Sequence, residues 1–172
     1  LRSEAAFGTV WIVVIALLSP GVVILQAFVE PLYSLWTQGK IPFDPSLFAV
    51  LSMGVLVYAV IQPAIAVVTG NNMLKGQLGL SFLAAIIVIG VTFVLVPIVG
   101  ILGAGIALLA SEALVSLGYI ILAKRWLHNN SLFWPKRPFG IAVFSVCIAA
   151  GALASLIVFP QLKWLILPLA ML

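Results

Sequence analysis

Residues 78–99 have the sequence LGLSFLAAIIVIGVTFVLVPIV, and none of them is charged. A helix needs about 20 consecutive apolar residues to cross the hydrocarbon core of a bilayer. This stretch is long enough to cross as one helix, with Pro97 near its exit. We therefore predict a transmembrane helix over residues 78–99.

The composition extends this interpretation to most of the chain. The 172 residues are 65% hydrophobic and 7% charged, whereas an ordinary soluble domain is about one-quarter charged. A water-soluble fold could not cover so much apolar surface. We therefore predict an all-α, polytopic transmembrane helical bundle of about five full spans plus a truncated sixth, with no recognisable soluble domain.

Breaks in hydrophobicity divide the chain into the predicted spans. Their approximate bounds are 7–29, 47–69, 78–99, 101–123, 139–159 and 164–172, and the last is too short to cross alone. Pro20-Gly21 predicts a kink or a break in the first helix, because proline removes a backbone hydrogen bond. Apolar sequence continues to both ends of the chain. We therefore expect residues 1–172 to form a transmembrane domain and to be a fragment of a longer protein.

Three connections between the spans are informative. Residues 30–46 are polar by the standard of this chain and predict a loop outside the membrane. Gly70-Asn71-Asn72 is a strong helix-stop signal. The predicted turn between the third and fourth spans is rich in glycine and contains Gly100, Gly103 and Gly105.

The basic residues are unequally shared between the two sides of the predicted bundle. Alternating the connections from side to side places Arg2, Lys75, Lys124, Arg125, Lys136 and Arg137 on one side and Lys40 and Lys163 on the other. The positive-inside rule predicts that the first side is cytoplasmic, including the N-terminus of the chain and the 124–137 loop. Topology alone explains this loop, and contact with anionic lipid headgroups or a pyrophosphate-bearing lipid explains it too.

The sequence lacks the residue clusters that catalysis and metal binding require. It contains one histidine, four acidic residues and one cysteine, and none has the spacing of a catalytic triad or a metal site. The lone Cys147 excludes a disulfide within the chain. The basic residues lie between apolar runs, where they set orientation rather than bind nucleic acid. We predict no enzyme activity, no cofactor, no metal site and no nucleic-acid partner.

Glu112 is the sharpest candidate for a functional residue. It lies near the middle of the fourth predicted span, between Ser111 and Ala113. A carboxylate at that depth must be neutral, paired or in contact with water. It is therefore a candidate cation or proton relay, or a cavity group that senses a polar substrate. The alternatives are a structural hydrogen bond to a neighbouring helix and a position nearer the interface.

Five further polar residues are weaker candidates for a substrate or ion pathway. Gln26 and Gln62 are amides within apolar spans, and the proline after Gln62 leaves a backbone carbonyl free. Asn71, Asn72 and Lys75 lie at the turn between the second and third spans, within reach of lipid headgroups. Helix packing and topology also explain all five.

The order of motifs from residue 70 onward resembles a known family. Gly70-Asn71-Asn72 follows a span, the next span ends in Pro97-Ile-Val-Gly100, and Ile101-Leu-Gly103-Ala-Gly105-Ile-Ala107 leads to Ser111-Glu112. This order is similar to the C-terminal half of polysaccharide transporters of the O-antigen flippase type. Their superfamily also contains the MATE drug exporters and the lipid II flippase. Pro20-Gly21 and residues 32–36 extend the likeness, which covers about residues 7–127.

The resemblance implies a two-bundle transporter of which this chain is the later part. Its partners would be membrane lipids, the missing N-terminal bundle of the same protein and a polyprenyl-diphosphate-linked oligosaccharide. Alternating access would move that lipid across the bacterial inner membrane for surface polysaccharide synthesis. The cavity of such flippases is commonly cationic, whereas no lysine or arginine lies within a predicted span here. The missing bundle would then supply the cationic residues, or Arg2 and Lys75 would reach inward.

Other classes of protein also fit parts of this sequence. An ion-coupled exporter of organic cations is the nearest rival, and an anionic cavity with several intramembrane carboxylates would favour it. A purely structural subunit of a membrane complex agrees with the composition. A membrane-embedded glycosyltransferase or polymerase would need acidic or histidine residues on sizeable loops, which the sequence lacks. The glycine-rich motif favours the transporter.

Overall fold

The structure, a computed structural model, describes residues 2–158, with side chains from Phe7 onward. Its helices are α1 (Arg2–Val13), α2 (Ser19–Thr37), α3 (Pro45–Gly70), α4 (Leu74–Val99), α5 (Ile101–Asn129) and α6 (Lys136–Val158). Within this range, five helices are long and apolar enough to cross a membrane, with Phe7–Thr37 counted as one. The predicted all-α, multi-pass helical bundle is therefore confirmed. Residue 159 and the predicted sixth span, 164–172, lie outside the described residues.

A π-helical segment joins α1 to α2 one turn before Pro20-Gly21, where the sequence predicted a kink or a break, and the helix is not broken there. The segment is Val14–Leu18, and the backbone N–H of Ser19 donates to the carbonyl of Val14, five residues earlier. Pro20 has no N–H, and its ring crowds the carbonyl of the preceding turn. The wider π turn relieves this crowding one turn before the proline. The first span therefore continues through Pro20 as one helix.

The first span is also longer than its hydrophobicity predicted. Helix α2 runs to Thr37 and includes Pro31, so the predicted 30–46 loop is reduced to the residues after Thr37. A proline costs a helix one hydrogen bond, and the apolar residues around it continue the helix. The next helix is capped in a regular way, because the Asp44 carboxylate accepts from the backbone N–H groups of Ser46 and Leu47 at 2.9 and 3.0 Å.

The predicted glycine-rich turn contains a single residue between helices, Gly100. Its φ of 66° lies in the left-handed region, which glycine adopts at little cost. Gly103 and Gly105 lie inside α5. A Cβ atom on Gly103 would come within 2.7 Å of the carbonyl carbon of Leu95. Glycine is required there because the backbones of α4 and α5 approach so closely.

Three of the helices end in the same way. The residues Gln38, Asn72 and Ser131 follow α2, α3 and α5 with φ of 52°, 53° and 58°. The next N–H along the chain then donates to a carbonyl five residues earlier, in the pairs Gly39 to Ser34, Met73 to Val68 and Leu132 to Leu127. This arrangement is the Schellman motif. It confirms the stop signal that the sequence indicated at Gly70-Asn71-Asn72.

Helix α3 lies at the centre of the bundle and packs against α1, α2, α5 and α6. Trp11 of α1 is fully buried, and its indole Nε1–H donates to the carbonyl of Val60 at 2.9 Å. Helix α4 packs mainly on α5 and, although described throughout, has no buried residue. Helix α5 therefore packs against α3 on one side and against α4 on another. Between these two sides, a strip of α5 that includes Leu108 and Glu112 is not covered by either helix.

Candidate functional site

A groove of about 290 Å³ lies between α3 and α5. The residues that line it are Val50, Leu51, Gly54, Val55, Tyr58, Gly105, Leu108, Leu109 and Glu112. Of these, Tyr58 and Glu112 have polar side chains, and the rest of the lining is apolar or glycine. The groove therefore presents one carboxylate and one phenol on an otherwise apolar wall.

Both polar groups lie near the midpoints of their helices. Helices α3 and α5 begin at the same end of the bundle, because α4 returns the chain between them. At 1.5 Å per residue, Glu112 is about 17 Å from the start of α5 and Tyr58 about 20 Å from the start of α3. The hydrocarbon core is about 30 Å thick. Both distances are close to half of that thickness, and the mid-membrane depth of Glu112 stays a prediction.

The Glu112 side chain is half-buried. The Ser116 hydroxyl donates to the backbone carbonyl of Glu112, so it does not satisfy the carboxylate. Within the described residues, no hydrogen bond or ion pair reaches the carboxylate oxygens. A charged carboxylate at the centre of a bilayer costs about 3 kcal/mol on insertion scales. Glu112 therefore requires water, a proton, or a group from outside the described residues.

Two tyrosines accompany Glu112, and neither was identified from the sequence. Tyr58 is 49% exposed in the groove. Tyr119 does not line the groove, and it lies on the same helix as Glu112. Tyr119 follows Glu112 by two helical turns and so shares its face of α5, a spacing that was visible in the sequence. The three side chains form a polar cluster, which we call the Glu112 cluster.

Gln62 lies beside this cluster but not in the groove. It follows Tyr58 by four residues and therefore shares its face of α3, one turn closer to Gly70. Its side chain is half-buried. Gln62 extends the polar character of this face from the middle of the membrane toward the end of the bundle at the α3–α4 turn.

Gln26 is fixed elsewhere in the bundle. Its side chain is buried, and its Nε2 donates to the backbone carbonyl of Pro45 at 3.1 Å, which ties α2 to the start of α3. Its Oε1 is buried and has no hydrogen-bond partner among the described residues. The structure does not bring Gln26 to the Glu112 cluster, and its contact is that of a helix-packing residue.

The predicted group at the α3–α4 turn also lies away from the groove. Asn71 Nδ2 donates to the carbonyl of Val67 at 2.7 Å, and Asn72 adopts the left-handed conformation of the helix stop. Lys75 is exposed at the start of α4 and lines a separate shallow pocket with Leu122. These residues form the end of the bundle rather than its polar centre.

The three glycines of the predicted motif have separate positions. Gly105 lines the groove, and a Cβ atom on it would lie 2.8 Å from Leu47 Cδ1. Gly103 faces α4 instead, and Gly100 forms the turn. On the next turns of the same α4-facing side, the Ser111 hydroxyl donates to the Ala84 carbonyl at 3.3 Å. The motif therefore holds α5 against both neighbours and orients Glu112 toward the strip between them.

No family model, curated protein or solved structure matches this chain. What the site can do follows from its own residues. Among the described residues, no group of three or more His, Cys, Asp or Glu side chains could hold a metal ion. A carboxylate beside two phenols can accept hydrogen bonds from hydroxyl groups, take up a proton or attract a cation.

Proposed function

We propose that this chain is the later bundle of a bacterial inner-membrane transporter that flips a polyprenyl-diphosphate-linked oligosaccharide. The observation that supports the proposal most is the Glu112 cluster, a polar site at mid-membrane depth in a groove that is otherwise apolar. Ionisable groups within membrane spans are rare and mark substrate or ion pathways. The order of glycine motifs around the cluster resembles that of the O-antigen flippases, which gives the proposed substrate class.

The chemistry of the groove suits a glycolipid. The Glu112 carboxylate accepts hydrogen bonds from sugar hydroxyls, and the phenols of Tyr58 and Tyr119 both donate and accept them. The apolar lining, such as Leu51 and Leu108, suits the passage of a lipid that keeps its tail in the bilayer. In this mechanism the missing N-terminal bundle closes the other side of the groove and supplies the basic groups for the diphosphate. Rocking of the two bundles then exposes the site to each side in turn.

The proposed orientation places the N-terminus and the 124–137 segment in the cytoplasm. Lys75, Lys124, Arg125, Lys136 and Arg137 all lie at one end of the described bundle, with Lys40 at the other. The positive-inside rule favours the cytoplasm for the more basic end. The sugar-loaded lipid would enter the groove from that side.

A second candidate is ion-coupled export of organic cations. It is favoured by the residue types in the groove, where Glu112 is an acidic group that attracts a cation when it has lost its proton. The described lysines and arginines lie within the first or last two turns of their helices or between helices, whereas Glu112 lies near the middle of α5. A cation would therefore meet an attractive site in this bundle alone, whereas a diphosphate depends on the partner bundle.

The two candidates are separated by transport measurements on the full-length parent protein. Flipping of the sugar-loaded polyprenyl diphosphate is measured in inverted inner-membrane vesicles that contain the unmodified protein, Glu112→Gln or no transporter. We expect Glu112→Gln to lower the initial rate by about tenfold or more, the equivalent of one lost interaction of about 1.4 kcal/mol. Glu30→Gln, which changes a carboxylate outside the groove, is the matched control and should retain the rate.

The opposite result is equally informative. If vesicles without the transporter flip the glycolipid normally, and cells without it lose efflux of organic cations, the flippase proposal is wrong and the exporter is favoured. Matched expression of the variants, measured by immunoblot, excludes a difference in protein amount.

A further inference from the structure

The segment between α5 and α6 places basic and apolar side chains side by side on the surface. Lys124, Arg125, His128, Lys136 and Arg137 are all exposed. Leu132 and Phe133, at the tip of the connection, are 42% and 81% exposed. We call these seven residues the basic apron. Basic residues beside exposed apolar ones are typical of segments that lie in the interface of a membrane, with the apolar groups inserted and the charges at the headgroups.

The backbone of this segment is fixed at both of its ends. At the end of α5, Ser131 adopts the left-handed conformation and the Leu132 N–H donates to the Leu127 carbonyl at 2.8 Å. At the start of α6, the ring of Trp134 stacks edge-on against Phe139 with centroids 5.3 Å apart and against Trp11 at 5.7 Å. Leu132 and Phe133 therefore project from a loop whose two ends are fixed by these contacts.

Lys124 lies beside two aromatic rings at this surface. Its Nζ is 5.6 Å from the centroid of the Trp134 ring and 5.8 Å from that of Phe139. Tryptophan rings concentrate at the level of the lipid headgroups. The ammonium group of Lys124 is thus held beside the two rings by cation–π contacts, while the other basic residues of the apron are exposed.

The charge of this end of the bundle is strongly one-sided. Of the four acidic residues in the sequence, only Glu4 belongs to this end, since Glu30 and Asp44 lie at the other end and Glu112 lies at mid-depth. Among residues 7–158, whose side chains the structure describes, this end carries Lys75, Lys124, Arg125, Lys136 and Arg137 and no carboxylate. The headgroups of an anionic leaflet would supply the opposite charge. Each exposed lysine or arginine near an anionic leaflet is attracted to it.

We propose that the basic apron binds the phosphodiester headgroups of anionic phospholipids, with Arg125, Lys136 and Arg137 contacting phosphate and Leu132 and Phe133 inserted between the acyl chains. Arginine supplies the planar, bidentate donor geometry that phosphate prefers. This inference does not depend on what the Glu112 cluster transports. It assigns to the basic segment a binding role in addition to setting orientation.

The test uses the purified chain in nanodiscs that contain equal amounts of phosphatidylglycerol and phosphatidylcholine. The lipids that remain bound after transfer to detergent are counted by native mass spectrometry. We expect the unmodified chain to retain phosphatidylglycerol over phosphatidylcholine by about fivefold, and Arg125→Gln/Lys136→Gln/Arg137→Gln to lose most of that preference. Lys40→Gln, at the other end of the bundle, is the control and should retain it. Both leaflets of a nanodisc are alike, so a change of topology cannot imitate the result.

Two outcomes would overturn the proposal: equal retention of both lipids by the unmodified chain, or an unchanged preference in the triple variant. If the triple variant does not fold, as judged by its helical circular dichroism, the unmodified chain is measured at increasing salt. Screening should then lower the preference for phosphatidylglycerol steeply between about 0.01 and 0.5 M, because exposed charges interact over only about a Debye length. A preference that does not depend on salt would contradict headgroup binding by exposed basic residues.

Discussion

Trp11 links two helices through a single side-chain hydrogen bond. Its ring is fully buried among α1, α3 and α6, and its Nε1–H reaches the Val60 carbonyl at 2.9 Å. We expect Trp11→Phe to lower the free energy of unfolding by about 1–2 kcal/mol, because it removes this hydrogen bond and leaves part of the indole volume empty. Thermal unfolding in detergent, followed by circular dichroism, measures the change.

Trp36 provides the comparison for this prediction. Its side chain is 81% exposed near the end of α2, so Trp36→Phe removes little packing. Equal losses of stability in the two variants would contradict the structural role assigned to Trp11. A loss confined to Trp11→Phe would support it.

Single residues were predicted from the sequence with unequal success. Glu112 stood out because a carboxylate within an apolar span is costly wherever its side chain points. Gln26 stood out for a similar reason, but in the structure its Nε2 donates to the Pro45 carbonyl in a contact between helices, and its Oε1 has no partner among the described residues. Tyr58 was missed because only the packing of α3 against α5 brings it into the groove with Glu112. Tyr119 was missed although its spacing of two helical turns from Glu112 was present in the sequence.

The close packing of helices α4 and α5 depends on a glycine. Gly103 lies against the backbone of Leu95, and a Cβ atom there would come within 2.7 Å of it. We expect Gly103→Ala to separate the two helices and to lower the free energy of unfolding by about 1–3 kcal/mol. The loss is measured by thermal unfolding in detergent.

Gly90 is the matched control on the same hairpin. It lies inside α4, and a Cβ atom on it would meet no atom within 4 Å apart from its own helix backbone and chain neighbours. Gly90→Ala should therefore leave stability unchanged or raise it slightly, since alanine favours helix. If Gly103→Ala is as well tolerated as Gly90→Ala, the close contact between α4 and α5 is not present in the membrane.

The helices are longer than the apolar runs that revealed them. Hydrophobicity indicated ends near 29 and 123, whereas α2 continues to Thr37 and α5 to Asn129. Polar residues such as Lys124 and Arg125 end the apolar run, but they do not end a helix, because both are good helix formers. Hydrophobicity marks where a chain leaves the hydrocarbon, whereas a left-handed residue such as Ser131 marks where the helix ends.

At the scale of the whole molecule, the number of spans within residues 2–158 could be predicted from composition and spacing. The neighbours of each helix could not, because all faces of these helices are apolar and periodicity does not distinguish a lipid-facing side from a packed one. The central position of α3 and the peripheral position of α4 came from the structure. So did the open strip of α5 in which Glu112 lies, and with it the location of the candidate site.

Both proposed transport functions require that the Glu112 site is accessible to water in the middle of the membrane. The most direct test is cysteine accessibility at position 112 of the full-length parent protein, in a background from which Cys147 and every other cysteine have been removed. Leu114→Cys is the control, because Leu114 lies at nearly the same depth on another face of α5 and is 50% exposed on the surface of the bundle. The parent protein in proteoliposomes is treated with a charged, water-soluble thiol reagent, and the labelled fraction is measured by mass spectrometry. We predict rapid labelling of Glu112→Cys and little labelling of Leu114→Cys, whereas equally slow labelling of both would contradict a polar transport site at Glu112.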